Sequence, residues 1–386
     1  MSEHYDVVVI GGGVAGLSTA ANITKGNVLL IEKDKIRTEE NRYMRFTFLE
    51  SANRLGLSNA IIQQYDKLSF VSVTGSRLDV NFDDFELGLI DLGKLNRILK
   101  NEIKDRHEIR EDIKVLDVNM DNNKVNILAS ENGETQTISS KYLVDASGCE
   151  FLTRKKFNLG CSELLYHCLA ERYKNSYEND QTTLTFFFPS NEFSLGGWKY
   201  PFGIKDCVYG IGGCLGDIRN SLIILDTELR NMVKNSNLGS QRKNVIIESK
   251  QDIGSVPIGI SQSLVYNSLC YVGDSFGQAT AWMGEGIRPI IEASIICGKT
   301  IDDAIRKNGN NSLKVYSDRW HSTYYDAYKN YHYMEKWNRS LDGWEKTLKK
   351  MSKIAEHDKK QFIELLMYDN MSKDGKEYLK KLKSKS

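Results

Sequence analysis

The apolar positions of this chain fall into short runs whose period changes along its length. Val7, Val8, Val9 and Ile10 form a continuous β-branched run, the pattern of a strand buried on both faces. Leu17, Ala20, Ala21 and Ile23 then recur at helical spacing, and Gly26 is placed to end that helix. Val28 to Ile31 reads as a second buried strand, closed by Glu32. Phe46 to Leu57 reads as a short helix, Lys67 to Phe82 as two alternating strands (FVSV and RLDVNF), and Leu92 to Lys104 as an amphipathic helix. Lys114 to Ile138 is a meander with turns at DNN and ENG, and Lys141 to Ala146 is a buried strand stopped by Ser147-Gly148.

The middle third changes character. Thr182 to Phe188, Trp198 to Phe202 and Cys207 to Cys214 read as strands of a mostly antiparallel, aromatic-rich sheet, with Ser221 to Lys234 as a helix. From Tyr271 the first pattern returns: a strand ending in Gly273-Asp274, a glycine-rich turn, and a long helix. Beyond Asn310 the sequence is helical and rich in Tyr and Trp. Together these predict an α/β fold. A three-layer Rossmann-like domain is laid down in two parts (1–160 and 256–308), with a β-sheet substrate domain inserted at 161–255 and a helical region at 309–386.

Composition narrows the function classes. The 386 residues are 27% charged and 40% hydrophobic with a net charge of +1, so nothing favours nucleic acid as a partner. The first strand begins almost at once, leaving no room for a leader, and no apolar run reaches the roughly 18 residues needed to span a bilayer. Ile290 to Cys297 is too short and is interrupted by Glu292. A cytoplasmic protein is expected. The seven cysteines include no C-x-x-C pair and the six histidines are scattered, so reduced thiols and no metal site are expected.

The chemistry is carried by glycines. Gly11, Gly13 and Gly16 follow the first strand and open a helix at Val14 and Ala15. Gly11 allows the tight turn, Gly13 lets a pyrophosphate approach the backbone, and Gly16 lets the helix pack on the strand. Free N–H groups and the positive dipole end of the helix suit a diphosphate. Glu32, with Lys33 beside it, stands at the position of an acid that holds a ribose hydroxyl. This first motif alone fits NAD as well as FAD. A second anchor far down the chain separates them: Asp274 at a strand end can accept from a ribityl hydroxyl, and Gly284, Gly286 and Ile287 open a helix whose N–H groups suit the carbonyl edge of a flavin. FAD is the cofactor expected.

GGGVAG with Glu32, DASG at Asp145 to Gly148, and GDSFGQATAWMGEGIRP together resemble the geranylgeranyl reductase family of flavoproteins, within the p-hydroxybenzoate-hydroxylase-like fold group. The resemblance spans essentially the whole chain, including Y-x-x-x-W repeats in the tail. It implies reduction of C=C bonds in an isoprenoid lipid by hydride from reduced FAD. It also implies a substrate wall at Trp198, Tyr200, Pro201, Gly210 and Gly212, where W-K-Y-P and G-I-G match a family motif whose leading Tyr is here Gly196. Arg45 and Val115 join the expected cofactor contacts, and Tyr200 is the local proton-donor candidate. No second Rossmann motif is present for a nicotinamide. Of the two donors, NADPH and reduced ferredoxin, the protein donor is therefore slightly favoured. Two departures stand out. The family's cysteine after the ribose acid is replaced by RYMRFTF, and its Arg before the Leu92 helix by Leu92. Contacts from Met44, Arg45 and Arg97 stay open, and no chemistry passes over from the missing cysteine. Rival readings on the same fold are an aromatic monooxygenase, a halogenase, a prenyl-lipid cyclase and a flavin-free prenyl escort protein. Lys380, Lys381, Lys383 and Lys385 raise peripheral contact with an anionic membrane.

Overall fold

The computed structural model describes residues 3–41, 44–72, 74–83, 86–121, 124–161, 164–174, 181–188, 194–213, 218–235, 246–259, 261, 263–280, 284–307, 313–338, 341–359 and 362. The chain opens with β1 (Glu3–Ile10), α1 (Val14–Ala21) and β2 (Val28–Ile31). It continues through β3 (Met44–Phe48), α2 (Leu49–Arg54), β4 (Ile61–Tyr65), β5 (Lys67–Val71), β6 (Arg77–Asn81) and β7 (Leu87–Asp91). Helix α3 (Leu92–Ile103) leads into β8 (Glu108–Arg110) and the meander of β9 (Ile113–Asp121), β10 (Lys124–Glu131) and β11 (Glu134–Asp145). After α4 (Leu152–Phe157) come β12 (Leu164–Lys174), β13 (Thr183–Phe187), β14 (Ser194–Phe202) and β15 (Asp206–Gly213). Then follow α5 (Ile218–Asn235), β16 (Ile246–Ile258), β17 (Val265–Tyr266), β18 (Leu269–Tyr271), α6 (Ile287–Lys307), α7 (Lys314–Asn338) and α8 (Leu341–His357).

The first sheet runs β17-β18-β11-β1-β2-β8, with β9 and β10 attached through β11. The β1–β11, β1–β2, β2–β8 and β11–β18 pairs are parallel, and β17 is antiparallel to β18. Val7, Val8 and Val9 are fully buried, as a continuous apolar run in a strand covered on both faces requires. The register sets Ile31, Ile10, Asp145 and Tyr271 side by side. The carboxyl ends of four strands therefore share one edge, where ligands bind in open α/β sheets.

The second sheet runs β16-β12-β15-β14-β13-β5-β6. Its alternation sends Leu169, Tyr173, Tyr209 and Ile211 to one face, packed on Leu225, Leu229 and Val233 of α5. Ala170, Trp198, Tyr200, Val208 and Phe186 go to the other. Two corrections to the expected organisation arise here. The sheet reaches beyond 161–255, because β5 and β6 come from residues 67–81 and β16 runs to Ile258. The helix expected from Phe46 begins only at Leu49, because Met44–Phe48 pairs antiparallel with β7 in a third sheet, β3-β7-β4. Met44 and Phe48 alternate inward there, a period of two that outweighs the helical spacing of the same apolar residues. Helix α8 packs its buried Trp344 flat on Phe188, ring centroids 3.9 Å apart, and seals the far end of the second sheet's apolar cluster. Cys214, Trp282, Met283 and the lysines from Lys380 onward lie outside the described residues. Among the described residues no helix is long and apolar enough to cross a membrane, and no cluster of His, Cys, Asp and Glu has metal-holding geometry.

Candidate flavin and substrate site

The glycines of the first motif divide into two kinds. Gly11 sits at φ 110°, and a Cβ there would lie 2.2 Å from the Ala146 carbonyl oxygen. A Cβ on Gly16 would lie 1.8 Å from the Gly11 oxygen. Both are required by the packing of the strand ends on α1. A Cβ on Gly13 would meet nothing within 4 Å. The fold has no need of glycine there, so the bare backbone faces space left for a ligand. The N–H groups of Val14 and Ala15 next to it bond no carbonyl among the described residues. Glu32 accepts from Gly12 N–H at 2.6 Å and Asp34 N–H at 3.1 Å, which fixes its carboxylate beside the turn.

The second motif reaches the first directly. A Cβ on Gly273 would lie 2.6 Å from that of Ala15 in α1, and Ser294 Oγ of α6 donates to the Ala15 carbonyl at 3.2 Å. The two anchors therefore form one continuous edge. Asp274 makes no hydrogen bond through its carboxylate among the described residues. Burial pushes it up to about 6, against the opposing pull of Arg45. Gly284 takes φ 65°, and Gly286 and Ile287 present N–H groups without acceptors among the described residues at the start of α6. Glu285 Oε1 accepts from Arg288 N–H at 2.9 Å and pins this turn.

Residues from the tail, from α4 and from the motif itself hold the second motif in place. Gln278 accepts from Gly273 N–H at 2.6 Å, Tyr316 of α7 donates to the Tyr271 carbonyl at 2.8 Å, and Phe276 packs edge-on against Trp320 at 5.0 Å. Buried Arg154 donates to the Ser275 and Gly160 carbonyls at 2.7 and 3.1 Å, with its guanidinium 4.0 Å from the Tyr271 ring centroid. Sequence reasoning missed these supports. Only the Y-x-x-x-W spacing, which places Tyr316 and Trp320 one turn apart, pointed to any of them.

The inner face of the second sheet closes the site. A Cβ on Gly210 would lie 2.2 Å from the Trp198 indole, so the ring lies directly over that glycine. Gly212 faces Cys168 Sγ at 3.2 Å and the indole edge at 3.7 Å by the same measure. Phe46 of β3 meets Phe186 edge-on at 5.3 Å, which carries the apolar surface from the third sheet to the second. Tyr200 is 4% exposed and its hydroxyl has no hydrogen-bond partner among the described residues. Burial raises its phenol, followed by the opposing effects of Arg45 and Asp252. Cys168, on the same face, is pushed up to about 11 by burial, and Cys149 to about 12. Both are protonated at neutral pH and are poor nucleophiles.

The structure thus brings Gly11, Gly13, Val14, Ala15, Gly16, Glu32, Asp274, Gly284, Gly286 and Ile287 to one edge, and Trp198, Tyr200, Gly210 and Gly212 to the facing sheet. Pro201 offers its carbonyl to Tyr65 at 2.8 Å and to Gln63 at 3.0 Å, so it braces that wall from behind. Lys33 pairs with Glu150. Val115 is buried in the first sheet's core, two residues after Ile113, whose N–H bonds the Glu32 carbonyl at 3.0 Å. Arg97 pairs with Glu40 on the exposed side of α3. Arg45 turns to Asp252 of β16 at 3.2 Å. Gly196 has φ 112°, a region that strains any side chain. This accounts for the absence there of the family's Tyr and of a halogenase-type Trp.

The donor set fits FAD: open space at Gly13 beside N–H groups, an acceptor at Asp274, and donors at Gly286 and Ile287, none of them partnered among the described residues. Residues 5–181 match the family described as pyridine nucleotide-disulphide oxidoreductase. The chain is 27% identical over 353 residues to digeranylgeranylglycerophospholipid reductase 2 of Methanococcoides burtonii, covering 84% of this chain and 81% of that one. Its fold matches a geranylgeranyl bacteriochlorophyll reductase-like protein from Thermoplasma acidophilum, with a TM-score of 0.79 at 19% identity over 93% of both chains. It also matches the flavin-dependent brominase Bmp2, with a TM-score of 0.75 at 17% identity, over 99% of this chain and 100% of that one. The motifs, the fold and these relatives agree: the chain is an FAD-dependent oxidoreductase, similar in sequence and fold to geranylgeranyl reductases.

Proposed function

We propose that the protein saturates C=C bonds of a prenyl-chain lipid. The observation that carries this reading is the pairing of the flavin edge with an apolar aromatic face on which the Tyr200 hydroxyl has no partner among the described residues. Reduced FAD, when bound, supplies hydride to one alkene carbon. The chain's own work is to hold an apolar substrate against Trp198 and Phe186, exclude water, and give a proton to the other carbon. No carbonyl needs polarising, so the reaction asks for no oxyanion hole at the substrate. Tyr200 keeps its proton across the neutral range because burial raises its phenol, and its O–H bond breaks as the substrate C–H bond forms. The N–H groups at Gly286 and Ile287 favour the anionic form of a reduced cofactor. Lys33, Arg45 and Val115 belong to the proposed surround of the cofactor.

The test is to reduce the purified protein with dithionite, add geranylgeranyl lipids, and read the masses. Two-hydrogen increments support the reading, and unchanged masses sink it. The Tyr200→Phe variant tests the proton donor: a fall in turnover of about 10²-fold or more is expected, with substrate affinity kept. Anaerobic mixing with NADPH or with reduced ferredoxin, followed by flavin bleaching, separates the two electron donors. Sedimentation with anionic vesicles at low salt tests peripheral membrane contact.

A further inference from the structure

Arg45, Asp252 and Tyr200 come from three strands and three distant parts of the chain. Arg45 lies on β3, Asp252 on β16 and Tyr200 on β14. The register runs Asp252–Ala170–Gly210–Trp198 straight across the second sheet, so all four share one face. Tyr200 lies two residues beyond Trp198 and keeps that face. Arg45 reaches this face from the third sheet. Its Nη1 bonds Asp252 Oδ2 at 3.2 Å and its own Met44 carbonyl at 2.8 Å. Its Nη2 stands 3.9 Å from where a Cβ on Gly254 would lie. Glycine at 254 thus leaves room for the guanidinium. Nη2 and Nε of Arg45 bond nothing among the described residues, and neither does the Tyr200 hydroxyl. Three donors unsatisfied among the described residues, two on the Arg45 guanidinium and one on the Tyr200 phenol, therefore lie on one face of the second sheet.

We propose that Arg45, held by Asp252, is a positioning residue for proton transfer from Tyr200: the ion pair fixes the guanidinium where it stabilises the phenolate left when the proton moves to the substrate carbon. The inference rests on the proposed reductase reading. The O–H bond of Tyr200 breaks, a substrate C–H bond forms, and water restores the phenol after the reduced product leaves. Asp252 works against Tyr200 by its own charge and for it through Arg45. The other titratable groups near Tyr200 are Arg172 of β12 and Tyr65 of β4, with Cys207 of β15 on the opposite face of the sheet. Arg172 is bound to Asp206 at 2.6 Å, which leaves Arg45 as the cation not already tied to a carboxylate of Tyr200's own hairpin.

The experiment places 3,5-difluorotyrosine, whose phenol titrates nearer neutrality, at position 200 of the full chain, and follows it by fluorine NMR against pH. Arg45→Gln should move the phenol up by about one unit, and turnover of the unlabelled variant should fall about tenfold with KM within about twofold. Arg45→Lys should restore part of both. Asp252→Asn is the sharper variant. A carboxylate acting by charge alone would leave the phenol lower, whereas loss of the tether on Arg45 moves it higher, and the upward shift is expected. An unmoved or lowered phenol in Arg45→Gln and Asp252→Asn overturns the positioning role even if Tyr200→Phe is inactive. An active Tyr200→Phe instead removes the parent reading of the proton donor and leaves the NMR shifts standing.

Discussion

Asp145 and Asp274 stand at the ends of neighbouring parallel strands of one sheet, and they have opposite fates. Asp145 is fully buried and its carboxylate is used up by the fold, accepting from Ser147 N–H at 2.9 Å and Thr153 N–H at 3.1 Å. The Asp274 carboxylate bonds nothing among the described residues, and burial holds it at about 6. Gly11 and Gly13 divide the same way, one enclosed by backbone and one open. The β11 end is thus spent on stability and the β18 end is kept for a ligand. What separates a structural motif residue from a functional one here is the presence or absence of a partner within the protein.

Variants at these paired positions can break the comparison. The largest effect is expected at Gly11→Ala, which drives a Cβ into the Ala146 carbonyl at a left-handed backbone position; the protein should fail to accumulate in folded form, read by circular dichroism. Gly13→Ala should melt within a few degrees of the parent while losing flavin absorbance near ~450 nm. If Gly13→Ala unfolds as badly as Gly11→Ala, the division between the two glycines collapses. Asp274→Asn comes next. Its folded carboxyl lies near 6 against an ordinary value of 3.8, so the flavin-free folded state binds the extra proton between those values. Stability from this group is present at low pH and is lost as pH rises through about 6. Thermal denaturation of the flavin-free protein should therefore show a decline across that window which Asp274→Asn removes. FAD, offering a hydroxyl donor to the ionised carboxylate, should bind more tightly as pH rises through the same window in the parent only.

Smaller effects test the second sheet and the surface. Gly210→Ala places a Cβ against the Trp198 indole and should destabilise by about 1–3 kcal/mol, measured by urea unfolding. Lys33→Ala removes a half-exposed pair with Glu150 and should change stability by less than about 1 kcal/mol. A large loss there would mean that Lys33 does more than pair with Glu150.

Legibility from sequence followed locality. The strand–turn–helix around Gly11–Gly16 was readable because its chemistry is contained in one βαβ unit, and the late Gly273-Asp274 piece because a strand, a turn and a helix surround it. The W-K-Y-P and G-I-G pieces pointed to one wall only through the family resemblance; in the structure a hairpin brings Trp198 over Gly210. The third sheet was hidden because Phe46, Phe48 and Leu49 satisfy a helix period and a strand period at once, and only pairing with β7 decides between them. The Arg45–Asp252 pair was hidden for a different reason. Its partners are far apart in the chain and on different sheets, and no periodicity records such a contact. Arg154 carried no signal either: its acceptors are backbone carbonyls, which any sequence supplies.

The most direct test of the central claim is mass spectrometry of a geranylgeranyl lipid incubated anaerobically with the dithionite-reduced, FAD-loaded protein. The account predicts successive two-hydrogen gains that are absent without protein and strongly slowed in Tyr200→Phe. A lipid recovered at its starting mass, from a protein shown to hold reduced flavin, would contradict it.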